Sequence, residues 1–371
     1  MKFLIISHAF HQQQNGKLFS YAPYVREMNL WLKYVKEVEI VAPLDLKSPG
    51  KIDLDYKHEN LHFNRVPPVN FMSLSKTISS LFSIPIILFK LIGACRRADH
   101  IHLRCPGNIG LLGCVVQVCF PNKTKTAKYA GNWDPNSNQP LSYRFQKWLL
   151  SNTFLTKNMT VLVYGNWPNQ SENIKSFFTA TFKNSEKTEW NKRDYSNQLN
   201  FVFIGSLVNG KRPLLAIKIV HALQSSGQTV KLDVFGEGIL KEELAAFITE
   251  NKLESLVTLH GNQSTEVIKN YLEKAHFSIL PSQSEGWPKA ITEAMFFGVI
   301  PIATRVSCVP WILDHENRGV LIDSKIEEAV EKIVAVLNER NLHKMSKEAQ
   351  GWSQVYTLDK FDEDIRKLLI S

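Results

Sequence analysis

Glu285 and Glu293 stand eight residues apart, separated by Gly286-Trp287-Pro288-Lys289 and three further residues. Ionised carboxylates only accept hydrogen bonds, so such a pair suits a ligand rich in hydroxyl groups. A second group of reactive types lies earlier, in the turn Gly210-Lys211-Arg212-Pro213. Arginine offers phosphate a two-pronged fork and lysine a compact point charge, so either residue can neutralise a phosphate. Surface solvation is the competing reading for Lys211 and Arg212, and their place in a strand–helix loop favours a ligand.

The elements that must hold these residues are legible in Pro281–Thr304. A strand over His276–Leu280 leads into the polar loop Ser282–Pro288. A helix over Lys289–Phe297 follows, with proline at its start and Gly298 after its last turn, and then a strand over Val299–Ala303. Strand, loop and helix in this order aim backbone N–H groups and the positive helix end at the crevice beyond the strand, a setting for phosphate. An ordinary strand–helix–strand unit with solvated glutamates is the competing reading.

The string E-G-x-P followed by E-A-M-x-x-G-x-P-x-[IV]-A resembles the donor-site signature of family-4 (group 1) retaining glycosyltransferases. The resemblance implies an α/β chain of GT-B fold, two Rossmann-like domains facing each other across a cleft. It places Glu285 beside the donor hexose and Glu293 on the nucleotide ribose. Phe201–Leu207 resembles the family's F-x-G-R-L strand, with Gly205 retained and Ser206 where arginine is usual. Lys211 and Arg212 then fall where the donor diphosphate is held, and Gly261-Asn262 where the nucleotide base is met. The amides of Gly286 and Trp287, the helix start after Pro288, and Lys289 add positive potential for the leaving diphosphate. Trp287, in place of a smaller residue, is expected to stack on the sugar or close the pocket.

The first half reads as a Rossmann-like domain on the acceptor side. Strands are expected at Lys2–Ser7, Val38–Ala42, Leu61–Val66, Ile101–Arg104, Lys125–Ala130 and Val161–Tyr164, the last closing the sheet. A polar loop over His8–Gly16 follows the first strand, and Gly16 is its candidate ligand-lining residue. Asn132 and Asp134, after the strand ending at Ala130, are candidates for the catalytic side, with a turn role for Asp134 as the alternative. Ser75–Arg97 reads as a core helix, with an interfacial membrane helix as a secondary role and Pro85 limiting its continuity. The Asn-, Ser- and Lys-rich stretch 169–200 reads as the interdomain connection. The expected domains are 1–190 and 195–354, with a last helix, about 355–371, returning to the first domain as the resemblance implies.

At 371 residues and 44% apolar, the chain is long enough for two such domains. Five cysteines without a C-x2-C pair argue against a disulfide scaffold or zinc site, and fit a reducing compartment. No segment offers the roughly 20 unbroken apolar residues of a membrane span. Residues 1–200 carry 25 Lys+Arg against 13 Asp+Glu, so the net charge of +9 resides in the first half. That half is expected to meet an anionic membrane surface or a phosphate-bearing acceptor, unless its charge merely solubilises. No nucleic-acid module is evident, so nucleic acid is not an expected partner. Gly236-Glu237-Gly238 lacks the third glycine of a dinucleotide fingerprint, which weakens an oxidoreductase reading.

The expected activity is transfer of a hexose-type sugar from a UDP- or GDP-sugar to a glycan or lipid-linked acceptor in bacterial surface-polysaccharide synthesis. No cofactor or metal is called for beyond the donor, and the expected location is cytoplasmic, on the inner face of the plasma membrane. The alternative is a catalytically weak sugar-nucleotide-binding or scaffold subunit of the same fold, favoured by Ser206.

Overall fold

Phe3–Ile6 and Val38–Pro43 are wholly buried runs, apolar but for Glu39, the mark of parallel strands covered on both faces. In the computed structural model, which describes residues 1–50, 52–69 and 74–370, such runs build two parallel sheets. The chain divides into one unit of Met1–Phe178 with the last helix from Phe361 on, and another of Thr179–Lys360.

The first unit contains β1 (Lys2–Ile6), β2 (His11–Gln14), β3 (Lys17–Tyr21), α1 (Ala22–Leu32), β4 (Glu37–Pro43), β5 (Asp53–Asp55) and β6 (Leu61–Val66). It continues through α2 (Leu74–Arg97), β7 (His100–Cys105), α3 (Asn108–Val116), β8 (Thr124–Tyr129), α4 (Leu141–Ser151), β9 (Met159–Tyr164) and β10 (Ile174–Phe177). Its main sheet runs β10-β9-β8-β7-β1-β4-β6, every pair parallel. The order reverses between β1 and β7, where a doubly wound sheet leaves a crevice at its strand ends.

Three features here depart from the sequence reading. The sheet does not close at Tyr164, because β10 adds a parallel edge strand beside β9. The stretch after β1 is an antiparallel hairpin, β2 and β3, with β5 added to its edge. Asn15 and Gly16 form its turn with φ of 51° and 73°, the left-handed pair that a two-residue hairpin turn requires. Finally, α2 runs unbroken through Pro85. Its inner face, Ile87, Leu91, Ala94 and Cys95, is buried in the core.

A buried charge cluster ties this unit together. Glu27 on α1 accepts from Arg104 and, at 2.9 Å, from Lys128. Lys128 also sits over the rings of Tyr164, Phe177 and Phe361, so the last helix packs on a cation as well as on Phe178.

The second unit contains β11 (Leu199–Ile204), α5 (Pro213–Ser225), β12 (Val230–Phe235), α6 (Lys241–Glu250), β13 (Val257–Gly261), α7 (Thr265–Leu272) and β14 (Phe277–Leu280). After these come α8 (Lys289–Phe296), β15 (Ile300–Thr304), α9 (Val309–Ile312), β16 (Val320–Ile322), α10 (Ile326–Glu339) and α11 (Leu342–Ser353); α12 (Leu358–Ile370) then belongs to the first unit from Phe361 on. The sheet order is β13-β12-β11-β14-β15-β16, all parallel, with its reversal between β11 and β14. Residues 179–190 cluster with this unit, not with the first. Phe182 packs on Phe296 and Phe297, and Arg193 donates to the Gly298 carbonyl at 2.9 Å.

Candidate active site

The reversal between β11 and β14 brings their two following loops together. Gln283 N donates to the Gly210 carbonyl at 2.8 Å, and beside this tie Lys211 Nζ meets Glu285 Oε1 at 2.6 Å. Glu285 is only 7% exposed, so its carboxylate has Lys211 as its counter-charge in a largely desolvated setting. One residue of each group, Lys211 and Glu285, thus meets the other at the sheet's switch point.

Several contacts hold the Glu285 loop. Cys308 Sγ donates to the Gly286 carbonyl at 3.1 Å, and Thr304 Oγ1 donates to that of Ser282. Trp287 turns inward, 6% exposed, stacked on Trp352 and flanked by Trp311 and Tyr356. The expected stacking on a sugar is therefore not its role. Its ring is consumed in an aromatic cluster that fixes the loop, and Arg318 lies over Trp352 at the cluster's edge. Pro288 is the N-cap of α8, and Lys289 opens the helix.

Glu293 lies on α8 and accepts from Thr181 Oγ1 at 2.6 Å. Burial raises its pKa, against the opposing influence of Thr181 and Lys289. The helix is backed by α11, whose Ser353 donates to the Thr292 carbonyl at 2.6 Å. At its far end Gly298 takes φ +74°, and a side chain there would meet the Arg193 guanidinium at 2.9 Å.

Arg212 adopts a left-handed backbone at the start of α5 and reaches Ser324 at 2.5 Å, so its guanidinium is not joined to Glu285. Ser206 is exposed in the loop after β11, and Gly205 lies beneath the next loop. A Cβ on Gly236 would stand 1.9 Å from the Gly205 carbonyl, and one on Gly238 2.3 Å from that of Leu207. The Gly236-Glu237-Gly238 string is thus a packing device that seats the β12 loop on the β11 loop. Sequence reasoning, testing it only as an incomplete dinucleotide fingerprint, missed this. Gly261 continues the stack, with its carbonyl accepting from Gly236 N at 2.9 Å and Asn262 directly following. His260 is held by Asp233 at 2.7 Å and lies flat on Phe235, a strand-end role.

In the first unit Gly16 lies apart from Asn132 and Asp134, which bond to one another. Asn132 Oδ1 accepts from Asp134 N at 2.9 Å, and Asp134 Oδ1 from Asn136 N at 2.8 Å, so both serve side-chain turns. Gly16 sits at the hairpin tip with nothing within 4 Å of a Cβ built on it. Instead, the β1/β7 switch point opens a cavity of about 500 Å³ lined by His8, Phe10, Gly107, Asn108, Tyr143 and their neighbours. Gly107, at φ +151°, leaves room for His8, whose ring would lie 2.5 Å from a Cβ there. The signal for His8 is its place directly beyond the first strand, where such sheets gather ligands.

The first unit's order about β1 and the second's about β11 define two Rossmann-like domains, and solved structures give the pair a class, the GT-B fold. HepE from Anabaena, solved with UDP and glucose, superposes with a TM-score of 0.67 at 14% identity, covering 100% of this chain and 99% of that one. Sucrose-phosphate synthase from Thermosynechococcus elongatus gives 0.66 at 15% identity, covering 100% and 98%. Residues 184–352, which hold the Lys211–Glu285 pair, match the model of the family described as glycosyl transferases group 1. Among curated relatives, the amylovoran biosynthesis glycosyltransferase AmsK of Erwinia amylovora is 29% identical over 42% of this chain and 40% of its own length. A Campylobacter jejuni alpha-1,4-N-acetyl-D-galactosaminyltransferase, named for a diNAcBac-PP-undecaprenol acceptor, is 29% identical over 38% and 40%. The chain spans about half the length of the curated relatives it matches.

Proposed function

We propose that this protein is a retaining glycosyltransferase. It moves a hexose-type sugar from a UDP- or GDP-sugar to a glycan or lipid-linked acceptor in bacterial surface-polysaccharide synthesis, at the inner face of the plasma membrane. The observation that carries this reading is the Lys211–Glu285 pair at the second unit's switch point. A donor diphosphate entering there offers Lys211 a second anion, and the carboxylate it leaves can accept hydrogen bonds from hexose hydroxyls. As the bond from sugar to diphosphate breaks, Lys211, Arg212 and the start of α8 oppose the charge growing on the leaving group. Charge is thus supplied by the chain, and the proposed chemistry calls for neither metal nor cofactor. Glu293, beside Thr181, is assigned to the ribose and the Gly261-Asn262 turn to the base. The relatives' printed roles in amylovoran and in lipid-linked glycan synthesis support the pathway class.

The test is a panel of UDP-, GDP- and ADP-sugars read first by thermal shift and then by product analysis, including the anomeric configuration. Glu285→Gln is expected to retain a shift with UDP and to lose transfer. Full transfer by that variant would overturn the role of Glu285. Ser206, exposed where arginine is usual, favours a second reading, a sugar-nucleotide-binding subunit of weak activity. Its signature is a shift with UDP and no turnover on any acceptor.

A further inference from the structure

The outer faces of α2 and α4 are apolar where a surface helix is ordinarily polar. On α2, Phe82, Ile86 and Phe89 follow one another at helical spacing, with Phe82 79% and Phe89 80% exposed. On α4, Leu141, Phe145 and Trp148 form a second exposed stripe, with the rings of Phe145 and Trp148 stacked at 5.6 Å. The same two helices also contribute to the cavity of the first unit, from other positions than the stripes. Ser80, two residues before Phe82, and Tyr143, between Leu141 and Phe145, both line it.

Charge selects the occupant. Residues 60–171 contain twelve Lys and Arg and only two acidic residues, Asp99 and Asp134; of the cations, Arg104, Lys125 and Lys128 are buried and Arg97 pairs with Glu39, which leaves others for the surface. Both acids are turned into their own surroundings, Asp99 on the Lys2 amide at 2.7 Å and Asp134 on that of Asn136 at 2.8 Å. Exposed Arg96 continues the α2 stripe, exposed Arg144 lies within the α4 stripe, and Lys157 sits over the ring of exposed Phe154. A second copy meeting this face symmetrically would set basic against basic. Aromatic and aliphatic side chains interleaved with cations match the acyl boundary and headgroups of an anionic bilayer.

We infer that the first unit docks on anionic lipid through the outer faces of α2 and α4, and that its cavity receives an acceptor glycan anchored in that same lipid. This deepens the glycosyltransferase reading and rests on it for the identity of the acceptor. Docking itself does not.

The test uses the full chain with vesicles of phosphatidylcholine alone or with phosphatidylglycerol, read by co-sedimentation. Binding is expected only with phosphatidylglycerol, weakened by salt, and at least about tenfold weaker in Phe82→Ser/Phe89→Ser and in Leu141→Ser/Trp148→Ser. Both variants are expected to keep the wild-type thermal shift with UDP. They are also expected to keep transfer to a soluble glycan while losing transfer to a vesicle-anchored one. Equal binding to both vesicle types, or undiminished binding by the variants, overturns the proposal. So does a wild-type dimer that these substitutions dissociate, which would make the face a contact between copies. Vesicle docking with no response to any nucleotide sugar would instead overturn the transferase reading and leave the docking surface standing.

Discussion

Lys211 and Glu285 neutralise one another at 2.6 Å, and their environments differ, the carboxylate being buried and the lysine partly open to solvent. That asymmetry suits an exchange of partners, because the open cation can turn to an entering phosphate while the carboxylate stays fixed. Lys211→Met removes a charge-assisted bond worth about 1.5–3 kcal/mol, so UDP affinity is expected to fall roughly tenfold to a hundredfold. Calorimetric titration with UDP checks this, and unchanged affinity would exclude Lys211 from the diphosphate. Lys211→Arg is expected to recover only part of the loss, since a planar fork does not fit a point-charge position. Arg212 is a contrasting case. Its bond to Ser324 lies outside the pair, so Arg212→Met is expected to weaken UDP less than Lys211→Met in the same titration.

At the scale of elements, the loops after β11, β12 and β14 work as a set because their backbones touch. Gly236→Ala would drive a methyl into the Gly205 carbonyl and separate two of those loops. It is expected to abolish the thermal shift with UDP as well as lower the melting temperature. Gly227→Ala, at φ +94° with nothing within 4 Å, carries backbone strain alone and is expected to keep the shift. Trp287→Ala should destabilise the second unit by about 3–5 kcal/mol in urea unfolding, since it empties the centre of an aromatic cluster. These elements also show what could be read from sequence. Phe201–Ile204 and Phe277–Leu280 are legible because strands covered on both faces are near-continuous apolar runs, broken here only by Ser278. By contrast, β10 is half exposed at a sheet edge, and β2 is His11-Gln12-Gln13-Gln14, made a strand only by the Asn15-Gly16 turn and its partner. The glutamate motif is legible from local spacing. Trp287 is not, because its burial depends on Trp311, Trp352 and Tyr356 from later in the chain.

For the whole molecule, the first unit holds neutral histidines where the unfolded chain would let them ionise. Burial lowers the pKa of His11 to about 4, against a weaker opposing bond to the Ala9 carbonyl, and lowers that of His100 to about 4. His11 is hydrogen-bonded to Tyr56 at 2.8 Å, and His100 to Thr126 at 2.8 Å. Both folded values lie below the unfolded value of about 6.5, so between those limits the unfolded chain binds protons that the folded chain does not. The stability from these two residues is therefore fully present above about pH 6.5 and is lost as pH falls towards 4. Each contributes up to about 1.4 kcal/mol per pH unit in that window, or about 3 kcal/mol in all. Two such residues amount to a large share of the 5–15 kcal/mol typical of a folded domain. The first unit is thus expected to be markedly less stable at pH 5 than at pH 7.5, with little change between pH 7.5 and 8.5. Urea unfolding followed by hydrogen exchange at amides of β1 and β7 isolates this unit from the other. His100→Asn, which keeps a polar group beside Thr126 but does not titrate, should lower stability at pH 7.5 and make its slope with pH shallower, with His11 and buried His102 retaining the rest. Equal stability at pH 5 and 7.5, or a slope unchanged in His100→Asn, would show that these histidines do not govern the acid response.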